Sequence, residues 1–164
     1  MGVITCEWQV ATTVPPAKMF KTFLLDSEIL LPKICPRAIK SVVILEGDGG
    51  PGTIKQINFN HGSELSHVKE RIDAIDKENL TYDYSVIGGD PALLNKALDK
   101  ISFQIKVESS PDGGSIFKRS SKSYTIDGAE VNEEEIKAGQ EKAMEAFVGI
   151  FRAFEAYILA NPDV

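Results

Sequence analysis

The chain has 164 residues, of which 43% are hydrophobic and 26% charged, and its formal net charge is −6 at pH 7. A chain of this length favours a single domain over residues 1–164, with enough apolar residues for a substantial core. The acidic balance disfavours a broad phosphate-binding surface, so nucleic acid is not expected as a partner.

No apolar stretch approaches the roughly 18 residues that a membrane-spanning helix needs, so no membrane partner is expected. The segment Met1–Thr5 leads directly into a strand pattern, without the charged start and apolar core of a signal peptide. The two cysteines, Cys6 and Cys35, form no metal or redox spacing such as C-x-x-C. We therefore expect a cytoplasmic protein with both thiols reduced.

Residues 3–12 alternate between apolar and polar side chains, which predicts a half-buried strand. Pro15-Pro16 then indicates the start of a short helix, because a missing N–H has no consequence in the first turn. Its buried side is expected to consist of four apolar residues at helical spacing, namely Met19, Phe20, Phe23 and Leu24.

A second short helix is predicted to follow the first at a sharp joint. Asp26 or Ser27 can cap its start, and the helix is expected to run through Leu31. Pro32 and Pro36 are expected to end it, because proline lacks the N–H that an interior helix position donates.

Six further segments read as strands separated by glycine, proline, asparagine and aspartate. They are approximately 39–46, 53–60, 65–75, 79–88, 98–108 and 115–125. The connections between them are short, which favours an antiparallel meander.

A long helix is predicted at the end of the chain. Asn132 resembles an N-cap, and the three glutamates that follow it would complement the helix dipole. Asn161-Pro162 would end the helix. Its apolar face is predicted to comprise Ile136, Ala143, Phe147, Ile150, Phe151, Phe154 and Ile158.

Four motifs together resemble one family. They are the glycine-rich LEGDGGPGTIK at 45–55, DKEN at 76–79, YDYSVI at 82–87 and EEIKAG at 134–139. They are similar to the birch-pollen major allergen family, the intracellular class-ten pathogenesis-related proteins of plants. The likeness extends from residue 2 to Asn161-Pro162, and the glycine-rich loop is its most specific part.

The resemblance implies an α+β helix-grip fold, in which a seven-stranded curved antiparallel sheet wraps around a long C-terminal helix, with two short helices in a V. Two departures from the family pattern stand out. The usual Tyr-His-Thr-Lys-Gly-Asp is here Ser-Tyr-Thr-Ile-Asp-Gly at 123–128. The stretch 140–151 is about four residues longer than the family norm, which amounts to one extra helical turn.

A bent sheet around one helix is expected to enclose a cavity, because the two surfaces cannot touch everywhere. Strand alternation places one carboxylate, Glu70, and two ammonium groups, Lys55 and Lys118, on the inner side. The complete predicted lining is Phe23, Ile39, Lys55, Ile57, Phe59, Val68, Glu70, Tyr82, Tyr84, Ile101, Phe103, Lys118, Ala143 and Phe147. The apolar members are equally well explained as ordinary core.

The main functional hypothesis is a defence-related carrier that binds hydrophobic small molecules reversibly. Flavonoids, cytokinins and sterol-like hormones are the ligands that the resemblance implies, with abscisic acid as a further candidate. We expect a monomer without cofactor or metal, since His61 and His67 have no third ligand at a metal-like spacing. Antibodies are a further expected partner, through the glycine-rich loop 46–53.

Two enzymatic alternatives remain open. The resemblance implies that ribonuclease activity would depend on Lys55, Asp99, Glu155 and Tyr157. However, Asp99 replaces the customary glutamate, and the sequence has no histidine pair. Relatives such as norcoclaurine synthase use a pocket lysine for condensation, and Lys118 lies at a similar place. A signalling role like that of abscisic acid receptors is a third possibility, but their gate motif is absent at 88–92.

Overall fold

A computed structural model describes residues 2–94 and 97–163. A curved antiparallel sheet of seven strands has the order β1-β7-β6-β5-β4-β3-β2. The strands are β1 Val3–Thr12, β2 Ile39–Glu46, β3 Ile54–Phe59, β4 His67–Asp76, β5 Thr81–Gly89, β6 Leu98–Ser109 and β7 Ser115–Thr125. The helices are α1 Pro16–Met19, which continues as a π-helix over Phe20–Leu25, α2 Ser27–Ile34, and α3 Glu133–Ala160. The predicted helix-grip fold is confirmed.

The meander from β2 to β7 follows from the short connections, because each strand pairs with the next one in the chain. The exception is β1, which pairs antiparallel with β7 in the register Val3↔Tyr124 to Thr12↔Ser115. Side chains along each strand therefore alternate between the inner face, which packs toward α3, and the outer face.

The second short helix begins where the sequence predicts, after Asp26, but it ends later than predicted. It continues to Ile34 with Pro32 inside it, and the Cys35 N–H donates to the Leu31 carbonyl at 3.0 Å. Proline removes only its own N–H bond, and this loss is not enough to end the helix here. Neither predicted cap forms, because Asp26 accepts from Lys21 and the Ser27 hydroxyl donates to the Leu24 carbonyl.

The long helix α3 is capped as the sequence predicts. The Asn132 side chain accepts from the Glu135 N–H at 3.2 Å, and three glutamates occupy the first turn. Its buried residues are Met144, near the middle of the helix, and Phe151, Phe154 and Ile158 in the second half. The first half of α3 is therefore mostly exposed to solvent.

One aromatic cluster connects the helices to the sheet. The Phe23 ring, in the π-helix, lies 5.0–5.6 Å from four other rings in edge-to-face geometry. These are Phe117 of β7 and Phe147, Phe151 and Phe154 of α3. Such pairs add about 0.5–1.5 kcal/mol each beyond the burial of their area. The cluster fixes where α3 crosses the sheet.

Among residues 2–94 and 97–163, no helix combines the length and the apolar character required to cross a bilayer.

The glycine-rich loop between β2 and β3 contains three glycines with positive φ, namely Gly47, Gly49 and Gly52, and the first two differ in their surroundings. Gly47 has φ +97°, and a Cβ there would lie 2.7 Å from the Thr53 Cα. Gly49 has φ +101°, but a Cβ there would meet no atom within 4 Å. At Gly47, therefore, both the backbone angle and the lack of room for a Cβ atom require glycine, whereas at Gly49 only the backbone angle does.

These two glycines give a matched test. We expect Gly49→Ala to lower the free energy of unfolding by about 1–2 kcal/mol, because only its φ is unfavourable for an L residue. Gly47→Ala should lower it further, because the added methyl group also overlaps Thr53. Urea denaturation of both variants measures the difference, and equal losses would contradict the role of the Thr53 contact.

Candidate functional site

Polar and charged side chains converge on the inner face of the sheet, beneath α3. Lys55 of β3 stands directly opposite Glu70 of β4 in the strand register. Tyr82 and Tyr84 of β5 are both buried, with 4% and 8% of their surface exposed. Arg119 of β7 donates from Nη2 to the Tyr84 hydroxyl at 3.1 Å.

Arg119 occupies the centre of this group. Its Cζ lies 4.4 Å from the centroid of the Phe103 ring and 4.3 Å from that of the Phe147 ring. The guanidinium therefore lies against one aromatic ring from the sheet and one from α3, a favourable cation–π arrangement. Its Nη1 lies 3.4 Å from the Met144 sulfur, while its Nε is buried without a hydrogen-bond partner.

The two tyrosines form a continuous aromatic surface with Phe103. The Tyr84 and Phe103 rings are stacked at 4.8 Å between centroids, and the Tyr82 ring lies 6.0 Å from that of Tyr84. Burial raises the pKa of both hydroxyls, although the Arg119 guanidinium partly opposes this for Tyr84. Both side chains therefore act as neutral hydrogen-bonding groups at physiological pH.

Lys55 is a buried cation, with 8% of its surface exposed. Its ammonium donates to the Ser27 hydroxyl of α2 at 3.3 Å. Burying a charged group is unfavourable unless other groups compensate it, so the nearby Glu70 carboxylate is the natural electrostatic partner.

Glu70 responds to two opposing effects. Burial raises the pKa of its carboxyl group, whereas the positive charges of Lys55 and Arg119 lower it. Burial is the larger effect, so the pKa lies above its ordinary value of 4.5. The charge of this interior therefore depends on pH.

The open space next to this group is small. A cleft of about 50 Å³ lies between the short helices and β3 to β5. It is lined by Leu24, Leu25, Ser27, Glu28, Gly49, Lys55, Ile72, Ile75 and Tyr82. Ligand sites typically have roughly 300–1,000 Å³, so the ligand cavity predicted from the sequence is not confirmed. Aromatic rings and the Arg119 side chain occupy the interior instead.

A larger cleft, of about 230 Å³, lies on the opposite side of the sheet. Its lining is mostly polar and consists of Asp73, Asp83, Ser102, Phe103, Gln104, Ser120, Lys122 and Tyr124. Burial raises the pKa of Asp83, and one of its carboxylate oxygens has no hydrogen-bond partner. A polar surface of this kind is poorly suited to a hydrophobic molecule.

Most of the predicted lining residues do face the interior. The buried ones are Phe23, Ile39, Lys55, Ile57, Val68, Tyr82 and Tyr84. Phe59, Ile101, Phe103 and Phe147 are partly buried and pack against the same core. The structure thus brings these residues together with Glu70 in the interior, and two of them, Lys55 and Tyr82, line the small cleft.

Two predicted lining residues do not face the interior. Lys118 is 48% exposed and pairs with Glu108 at 2.8 Å, because its neighbour Phe117 takes the inner side of β7. Ala143 is exposed, because the buried face of α3 passes through Met144, one residue and about 100° further around the helix.

Two interior residues were missed from the sequence. Arg119 follows Phe117 by two positions and precedes Ser121 by two, so strand alternation was the signal that could have identified it. Met144 precedes Phe151 by seven positions, which is two helical turns.

The four residues of the ribonuclease alternative have different surroundings and different partners. Lys55 is interior and Asp99 is exposed, while Glu155 pairs with Arg152 at 2.9 Å. The Tyr157 hydroxyl accepts from Lys33 at 3.4 Å. Within the described residues, no hydrogen bond or ion pair joins any two of the four. The described part of the chain also holds no group of three His, Cys, Asp or Glu residues placed to bind a metal.

Comparisons with known proteins place this arrangement in context. A sequence profile of the pathogenesis-related protein Bet v 1 family matches residues 1–161. The major allergen Pru ar 1 of Prunus armeniaca is 49% identical over 163 residues, which span 99% of this chain and 98% of that protein. The crystal structure of Ara h 8.0201 is 39% identical, with a TM-score of 0.79 over 98% of this chain and 100% of the other.

Norcoclaurine synthase from Thalictrum flavum has a similar structure at much lower identity. Its sequence is 18% identical to this chain, and the TM-score is 0.76 over 96% of this chain and 87% of the other. A likeness at this identity shows the fold alone.

The raised pKa of Glu70 predicts a pH-dependent stability difference. The unfolded state releases this proton near the ordinary pKa of 4.5 and the folded state only at higher pH, so stability falls as pH rises through that interval. Glu70→Gln removes this effect. Relative to the native protein, the variant should therefore become progressively more stable as pH rises from 4 to 7.

Urea denaturation at several pH values measures this difference. Glu7→Gln is the control, because Glu7 is exposed on β1 and its replacement should give no comparable trend. A Glu70→Gln difference that stays constant with pH would contradict the assignment.

Proposed function

Because this chain belongs to the pathogenesis-related protein Bet v 1 family, we propose that it is a cytoplasmic plant carrier that binds hydrophobic small molecules between its sheet and α3. Flavonoids, cytokinins and sterol-like hormones are the ligand classes we propose, with abscisic acid as a further candidate. The carrier acts as a monomer and takes part in defence. Its relatives named as major allergens support antibodies as further partners, through the exposed glycine-rich loop.

The observation that supports this proposal most is a set of buried polar groups inside an otherwise apolar interior. A purely structural core would be expected to avoid such groups, because burying them is unfavourable. Ligand sites, in contrast, combine apolar walls with a few polar groups that orient the bound molecule. The polar groups in this interior that could orient a bound molecule are Lys55, Glu70, Tyr82, Tyr84 and Arg119.

A ligand needs more room than the cleft of about 50 Å³ provides. The side chains best placed to make room are Met144 and Phe147, because they precede the buried anchors Phe151 and Phe154 on α3. The part of α3 before Met144 is largely exposed, so its displacement disrupts few buried contacts. We infer that a ligand enters by separating this part of α3 from the sheet.

The proposal is tested with N-phenyl-1-naphthylamine, an uncharged fluorescent hydrophobe. The delipidated protein should bind it saturably, with an increase in fluorescence. Phe147→Ala should bind it about tenfold more tightly, because the ligand no longer has to displace this ring before binding.

Leu159→Ala is the matched control. It removes an apolar side chain from the same helix, but Leu159 is 59% exposed and should not affect binding. Circular dichroism would show that each variant is folded. No saturable binding by the native protein, or equal affinities for the native protein and Phe147→Ala, would contradict the proposed site.

A further inference from the structure

We propose that Arg119 makes the interior selective for organic anions, so that the preferred ligand has an apolar body and one carboxylate or sulfonate group. This inference rests on the carrier function proposed above and specifies the chemistry of its ligand. The anionic group would accept hydrogen bonds from guanidinium N–H groups of Arg119 that have a weak acceptor or none.

The first argument is the incomplete hydrogen bonding of Arg119. A guanidinium has five N–H donors, and acceptors with a full negative charge suit it best. Here its acceptors are the Tyr84 hydroxyl at 3.1 Å and the Met144 sulfur at 3.4 Å, which is a weak acceptor. Its Nε is buried with no acceptor at all.

The second argument concerns charge. In the described part of the chain, no carboxylate lies within ion-pair distance of Arg119. Glu70 is the acidic group whose pKa responds to both Arg119 and Lys55, so two cations share one carboxyl group. Glu28 lines the small cleft beside Lys55, so Arg119 is the interior cation that lacks a carboxylate of its own, and a bound anion would supply one.

The third argument is the position of the aromatic rings. Phe103 and Phe147 contact the guanidinium within 4.4 Å of their centroids, which stabilises the cation but supplies no anion. If a ligand displaces Phe147, its own apolar body can take over the contact with Arg119. The donors at the edge of the guanidinium then remain available for the carboxylate or sulfonate.

The neighbouring Lys118 shows why this role belongs to Arg119. Lys118 lies on the same strand but on the outer face, and its ammonium is already paired with Glu108 at 2.8 Å. The two residues therefore provide a matched pair, with one cation inside the fold and one outside.

The experiment compares two dyes that share a ring system. The first, 1-anilinonaphthalene-8-sulfonate, carries one negative charge, whereas N-phenyl-1-naphthylamine is uncharged. Arg119→Met removes the charge and keeps an apolar chain of similar length. It should weaken binding of the sulfonate by about tenfold or more, because a charged hydrogen bond is lost. Binding of the uncharged dye should stay the same or become tighter.

Two further variants complete the design. Lys118→Met removes a positive charge from the outer face and should leave both affinities unchanged. Arg119→Lys keeps the charge but loses the planar fork, so it should recover part of the sulfonate affinity.

The outcomes separate this inference from the carrier function. If the native protein binds the uncharged dye and not the sulfonate, or if Arg119→Met weakens both dyes equally, the anion preference is wrong while the carrier function stands. If the native protein binds neither dye, both proposals are wrong.

Discussion

The edge-to-face contacts around Phe23 are the constraint on which the rest of this structure depends. One ring from the short helical segment touches β7 and three successive aromatic positions of α3, so it sets the distance between helix and sheet. Downstream of this cluster, α3 is fixed by Ile158. Upstream, its first half extends over the sheet with little burial. One end of the helix is therefore anchored, whereas the other has the freedom that a binding protein requires.

The same cluster accounts for the polar interior. Because the rings fill the space at one end, the charged groups are confined to the part of the sheet below Phe147. There the charges of Lys55 and Arg119 act on Glu70, whose negative charge is opposed by burial. An apolar core of equal volume would commonly be as stable or more stable. Retaining this arrangement is understandable if the charges recognise a molecule.

Much of this fold could be predicted from the sequence, since alternating strands, short connections and the capped terminal helix are local features. The inner faces of β3 to β5 followed from the same alternation, including Tyr82 and Tyr84. The errors came from β7 and α3. The pattern predicts Lys118 and Ala143 as inner residues, whereas the buried positions are Phe117 and Met144, and a difference of one position is enough to place a side chain on the other face. The filled interior was not predictable, because it depends on how rings from distant segments meet.

The pairing of β1 with β7 has a consequence for how the chain folds. The strands β2 to β7 can pair one after another as they leave the ribosome, because each partner is close in sequence. In contrast, β1 can pair only after β7 has been synthesised, more than a hundred positions downstream. The hydrogen bond from the Gly2 N–H to the Thr125 hydroxyl, for example, joins residues that are 123 positions apart in the sequence. Closing so long a loop is entropically unfavourable, which makes these contacts slow to form. Until then the nascent meander exposes the edge of β7 to pairing with other chains.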